Sequence, residues 1–337
     1  MSMLNLEQFY YQKVSTIPPR DRYVTIKEID DVLVINLDCV YERTCGLRGV
    51  DQLLYLTHKL GQNKRFLFIS EDGANLALSG AVELITNIVN CFELNVDTCA
   101  VVCREDIVIP NVTTINIPSI PYWCRVLYPT IQNIPIAKGP FDKKFAAWYH
   151  RGTFFRLELA RYLTDNYRDM SFISYQEHGM ITDRKLTEYF TNANWAWKNT
   201  PIVYDQLFPN RIFDYEMIVG AERKSYADYF LEIVAETDIL TTAWITEKTV
   251  KNLYIGKPFV VFSGAGSLAK IRSYGFKTFS PWIDESYDTI DNLYIRLEAI
   301  KKEIDRLATV DLQELFNKIL PILEHNRQTY ETYINSR

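Results

Sequence analysis

"DYFLEIVAE" (228–236), "TEKTVKNLYIG" (246–256) and "KPFVVFS" (257–263) follow one another closely, and together they decide the fold. The first and last are short apolar runs bounded by polar residues, as strands covered on both faces should be. The middle segment opens on Thr246, whose hydroxyl can accept a free N–H of a helix's first turn. Gly256 can end that helix in a left-handed conformation, and Pro258 forbids its continuation. Strand, helix and strand in this order predict a parallel pair joined by a crossover helix.

The same alternation runs through much of the chain. Upstream, "DVLVINLD" (31–38), "KRFLFIS" (64–70), "TCAVVC" (98–103) and "TTINIP" (113–118) read as strands. Between them, "GVDQLLYLTHKLG" (49–61) and "SGAVELITNIVNCF" (79–92) carry apolar residues at helical spacing. Then come a helix in "GTFFRLELARYLTDNY" (152–167) and a strand in "MSFISY" (170–175). Beyond residue 263 the pattern predicts a helix in "SLAKIRSYG", a strand in "FKTFS" and two amphipathic helices, the second kinked at Pro321. "YPTIQNIPIAKGPFDKK" (128–144) is rich in Pro and turn formers and marks a boundary. The expected organisation is an α/β domain over 1–135, a second over 136–305 and a helical segment over 306–337. Two open parallel sheets in tandem would leave a cleft at their strand carboxyl ends, where ligands usually bind in such folds.

Bulk composition agrees with two globular domains. The chain has 337 residues, enough for two cores, and 47% hydrophobic with 23% charged residues excludes a disordered chain. A net charge of −5 gives no overall basic field for non-specific nucleic-acid binding, although a local groove from "KGPFDKK" and the Arg151 region stays open. No apolar run approaches the roughly 18–20 residues that span a bilayer, and the first residues lack a signal-peptide pattern, so a cytoplasmic protein without membrane insertion is expected. All six cysteines lie in the first 124 residues without CxxC spacing. Cys99 and Cys103 would sit about 13 Å apart on one strand face, too far to bridge, so buried free thiols are expected.

Chemistry concentrates on the helix that Thr246 caps. Glu247 suits a first turn through the helix dipole, whereas Lys248 opposes it. A cation there becomes sensible if an anion such as a pyrophosphate binds at that helix end; otherwise it is a solvated lysine. "SGAGSLAK" (263–270) sets Gly266 before another helix start, either for a phosphate or sugar contact or for a tight turn. Trp195, Trp197 and Tyr204, in an aromatic patch over 188–208, could stack on a base or sugar ring or simply pack.

The 42 residues "YADYFLEIVAETDILTTAWITEKTVKNLYIGKPFVVFSGAGS" resemble the donor-binding segment of family 10 glycosyltransferases, the fucosyltransferases. There a Phe-x-x-x-x-Glu-Asn-Ser strand is followed by Tyr-(Val/Ile)-Thr-Glu-Lys, a helix and Pro-Val-Val. Related segments occur in proteins of phages and large DNA viruses, often followed by text like "SLAKIRSYGFKTFSPWIDESYD". The likeness covers about 60 residues. It implies a GT-B fold with two Rossmann-like domains facing a central cleft, a GDP- or UDP-linked sugar donor in the second domain, no other cofactor and no metal. It further implies that Glu247 binds ribose hydroxyls, that Lys248 binds the donor phosphates and that Glu236 matches the family's strand-end Glu. Thr237-Asp238 replace the family's Asn-Ser, so fucose is not implied. Arg151 and Arg156 in "WYHRGTFFRLELARYL" stand where the family has a pyrophosphate-binding arginine. An inverting transfer would take its base from the first domain, with Asp38 and Glu71-Asp72 at strand ends as candidates that are equally turn or capping residues; a retaining one needs none. The expected acceptor is a hydroxyl of a glycan or of a modified nucleobase. A non-catalytic nucleotide- or carbohydrate-binding protein of the same fold and a DNA-associated factor are the alternatives.

Overall fold

The computed structural model describes residues 5–14, 26–37, 64–70, 81–103, 107–149, 153–175, 226–237, 239 and 245–335. Its contacts divide the chain into two compact units, Met1–Pro118 and Ser119–Arg337.

The first unit holds a five-stranded sheet, β1 (Ile26–Ile29), β2 (Val32–Asn36), β3 (Arg65–Ile69), β4 (Cys99–Cys103) and β5 (Thr113–Asn116), in that spatial order. β1 pairs antiparallel with β2 across a turn with Asp30 at φ 53°, and the remaining pairs are parallel. The near-continuous apolar strands are explained by burial on both faces. Leu33, Ile35, Phe66, Phe68 and Val101 pack with Leu84, Ile85 and Ile88 of a helix over Ala81–Cys91. Val32, Val34, Leu67 and Val102 pack with Leu6, Phe9 and Val14 of the N-terminal helical turns. Cys99, Cys103 and Cys124 are buried free thiols as expected, and burial pushes Cys99 up to about 12. Cys91 is exposed instead, because it ends its helix on the solvent side; Cys39 and Cys45 lie outside the described residues.

The second unit holds a parallel sheet in the order β7-β6-β8-β9: β6 (Lys143–Tyr149), β7 (Ser171–Tyr175), β8 (Tyr229–Ala235) and β9 (Phe259–Phe262). We number its helices α1 (Ser119–Ile131), α2 (Phe154–Tyr167), α3 (Glu247–Ile255), α4 (Ser267–Ser273), α5 (Leu293–Thr309) and α6 (Leu312–Asn335). The chain steps from β6 outward through α2 to β7, then returns to β8 and steps the other way through α3 to β9. With right-handed crossovers those opposite steps put α2 and α3 on opposite faces of the sheet. α2 accordingly packs on β7 and α5, whereas α3 packs on α1 and α6. Both units are therefore α/β, and the strand order reverses between β6 and β8.

Several boundaries differ from those expected. The division falls at residue 118 and not 135, because α1 packs on α3 and α6 and so belongs to the second unit. Residues 128–144 are accordingly no linker between units: they hold the end of α1, with Pro129 inside the helix, and the start of β6. A cut at 305/306 would split α5. α6 runs unbroken from Leu312 to Asn335 with Pro321 inside. "FKTFS" forms no strand, since side chains satisfy the backbone that a ladder would use. Asn326 brackets Lys277 N and O, and the Glu285 carboxylate accepts from Phe279 N at 2.5 Å and Thr278 Oγ1 at 2.7 Å. The helix expected over 49–61 lies outside the described residues. No helix among the described residues is long and apolar enough to cross a membrane.

Charge also enters this core. Lys251 pairs with Glu232 of β8 at 3.2 Å, with side chains 5% and 3% exposed. Lys257 donates to Tyr229 O and lies 4.6 Å and 4.9 Å from the ring centroids of Tyr229 and Phe141. Burial brings its amine down to about 7.

Gly256 ends α3 at φ +70°, and a Cβ there would stand 2.7 Å from Ile136 Cγ1. Gly256→Ala therefore combines left-handed strain with a clash in a packed region, at about 1–3 kcal/mol. Thermal unfolding should show a lowered midpoint with no gain from the usual helix preference of Ala.

Candidate functional site

In an open parallel sheet, the crevice outside the strand carboxyl ends at an order reversal is where ligands usually bind. In the second unit that place is the end of β8. Glu236 follows the strand directly and is 1% exposed. Its carboxylate accepts from Thr246 N at 3.1 Å, Thr246 Oγ1 at 2.5 Å and Thr249 Oγ1 at 2.6 Å. A buried carboxylate needs such donors, and here all of them come from the first turn of α3.

Thr246 is the N-cap that its sequence position predicts. Extended at φ −110°, it accepts Lys248 N on Oγ1 at 3.4 Å, while its own hydroxyl proton goes to Glu236. Its carbonyl takes Thr249 N and Val250 N. The helix-end N–H groups expected to hold an anion are thus largely engaged within the turn, and the charged side chains carry what remains on offer. Lys248 Nζ lies 2.5 Å from Glu247 Oε1 and 3.3 Å from Thr246 Oγ1. The two charged side chains are 24% and 15% exposed, so the pair reaches solvent from a buried base. Burial pushes the Glu247 carboxyl up, but the Lys248 ammonium, its hydrogen bond and those of the Glu247 backbone and Thr246 outweigh it and bring the group to about 2. The arrangement offers a cation for a phosphate and an ionised acceptor for vicinal hydroxyls, each now occupying the other.

Arg156 turns inward to the strand end. It is 1% exposed, and its Nε and Nη2 donate to Ala235 O at 3.0 Å and 2.8 Å, with Nη2 also on Thr237 Oγ1 at 3.1 Å. Placed on α2, whose N-cap is Thr153, it holds the end of β8 from the other face of the sheet. Gly266 adopts φ +81° as a tight turn requires, and the α4 end behind it is filled from within. Asp288 accepts Leu268 N at 3.0 Å and Ala269 N at 3.3 Å on its carboxylate and Gly266 N on its carbonyl. Of the two readings of Gly266, the geometry is that of the tight turn, and a carboxylate of the chain occupies the helix end.

The structure brings Glu236, Thr246, Glu247 and Lys248 together. Asp38, Glu71, Asp72 and Arg151 lie outside the described residues, as do Trp195, Trp197 and Tyr204. β2 and β3 end at Asn36 and Ile69, two residues before Asp38 and Glu71. Thr249, Thr237 and Asp288 were not anticipated. Thr249 had a usable signal, a hydroxyl one helical turn from the cap and hence on its face; Asp288 had none, being 20 residues from the helix it caps. Among the described residues no group of three or more His, Cys, Asp or Glu converges as metal ligands would. In comparisons with protein-family models, curated proteins and solved structures, nothing matches the chain.

Because the folded Glu247 titrates near 2 and an unfolded carboxyl near 4.5, the folded chain holds fewer protons between these values. The contribution of the pair is complete above about pH 4.5 and is lost as pH falls through about 2. Thermal midpoints measured from pH 5 to pH 2 should fall more steeply in the wild type than in Glu247→Gln.

Proposed function

We propose that the chain is a glycosyltransferase of GT-B type that takes a GDP- or UDP-linked sugar. The donor diphosphate would bind Lys248 and its ribose hydroxyls Glu247, with the transferred sugar going to a hydroxyl of a glycan or a modified nucleobase. One observation carries this: a partly exposed lysine–glutamate pair stands at the carboxyl end of β8, where the strand order reverses, on a helix turn fixed from beneath by Glu236. The resemblance of residues 226–267 to a donor-binding segment adds the nucleotide sugar. On this proposal the first unit takes the acceptor, and Asp38, Glu71 or Asp72 serves as base in an inverting transfer. With Arg156 engaged by the strand, Arg151 is the arginine proposed for the diphosphate.

Calorimetric titration of the full chain with GDP and UDP tests the reading. Loss of one charge-assisted phosphate contact is worth roughly ten- to a hundredfold in affinity, so Lys248→Ala should weaken binding by that factor. Wild-type binding of every nucleotide by Lys248→Ala, or no binding by the wild type, would refute it. Glu247→Gln should behave differently for two probes. Inorganic pyrophosphate should bind several-fold more tightly, because Lys248 loses its competing partner, whereas uridine and guanosine should bind more weakly for want of the ionised acceptor.

A further inference from the structure

Two helices start at the reversal of the second sheet, α2 on one face and α3 on the other, and both bind the three residues that end and follow β8. β8 ends at Ala235, so Ala235 and Thr237 flank Glu236 where the regular strand gives way to a bend. Arg156 of α2 uses the first pair: its guanidinium takes Ala235 O twice and Thr237 Oγ1 once. Glu236 uses the opposite side, where Thr246 and Thr249 of α3 donate to it. Residues 235–237 are therefore gripped from both faces at once, and every side chain in the grip among Arg156, Glu236 and Thr249 is at most 1% exposed. A fork-shaped guanidinium and a carboxylate filled by hydroxyl and amide donors are direction-specific contacts, unlike the apolar packing around them.

We propose that Arg156, Thr237 and Thr249 are positioning residues, which lock the Thr246–Lys248 turn to the strand end and thereby to the start of α2. The inference rests on the donor reading above and adds that Lys248 owes its affinity for a diphosphate to this grip. Thr249 deprived of its hydroxyl leaves Glu236 Oε1 with Thr246 N alone, and the turn that carries Lys248 is no longer fixed in one place. Arg156 replaced by Lys keeps the charge and loses the fork.

GDP and UDP titrations of the full chain decide the matter, with folding of each variant checked by circular dichroism. Thr249→Val and Arg156→Lys should each weaken nucleotide binding about tenfold, as loss of a hydrogen bond to a charged group does. Thr249→Ser, which keeps the hydroxyl, should restore wild-type affinity. Leu253→Ala, which opens a cavity deeper on the same helix, should lower the thermal midpoint and leave affinity unchanged. Wild-type affinity in both Thr249→Val and Arg156→Lys, with Lys248→Ala impaired, would overturn the positioning role and leave the donor reading standing. Equal losses in Thr249→Val, Thr249→Ser and Leu253→Ala would also overturn it, since destabilisation alone would then explain the effect. Undiminished binding by Lys248→Ala would remove the donor reading and this inference with it.

Discussion

A carboxylate that water cannot reach persists only if donors surround it, and Glu236 draws its donors from the backbone and hydroxyls of another element. That requirement fixes where α3 begins. Once α3 begins there, Glu247 and Lys248 fall at the rim of the sheet, partly in solvent, while Val250, Leu253 and Ile255 face the core. The same strand end is what Arg156 holds from the opposite face, so one short stretch of backbone sets the origin of both crossover helices. Apolar packing alone would let either helix slide by a fraction of a turn; hydrogen bonds to a charge do not.

The alternation of strands and helices was legible because each strand is covered on both faces and so consists of apolar runs that turn residues interrupt. Thr246, Gly256 and Pro258 were legible as well, since capping and chain reversal depend on local chemistry. α1 and β6 were not. "SIPYWCRVLYPTI" carries two prolines in a helix that packs on α3 and α6, and "KKFAAWY" begins with two lysines, which disguised the start of a central strand as part of a linker. "FKTFS" failed for the opposite reason: its pattern suits a strand, but Asn326 and Glu285, distant in sequence from one another, satisfy its backbone instead.

At the site, local sequence shows which residue types lie near the strand end, but not which way each side chain turns. Arg156 lies in the first turn of α2, and nothing local reveals that its fork turns inward to Ala235 O. Glu236 stands behind Thr246 and Thr249, which its place at a strand end does not reveal. Gly266 precedes a helix end that Asp288 fills. In all three cases the deciding partner lies on another element, between 10 and 79 residues away.

The contrast between the two strand orders bears on how the chain is made. Every parallel pair in the first unit joins strands consecutive among those described, so that sheet can grow by addition as the polypeptide leaves the ribosome. The second sheet cannot. Its inner strand β6 pairs with β8, and Ala146 meets Glu232 only after the whole of the intervening chain has been synthesised. Until then "FAAWY" waits with an apolar edge unpaired, a period during which a nascent chain is open to aggregation and to capture by chaperones. The reversal of strand order thus also leaves the second sheet incomplete until β8 has been synthesised.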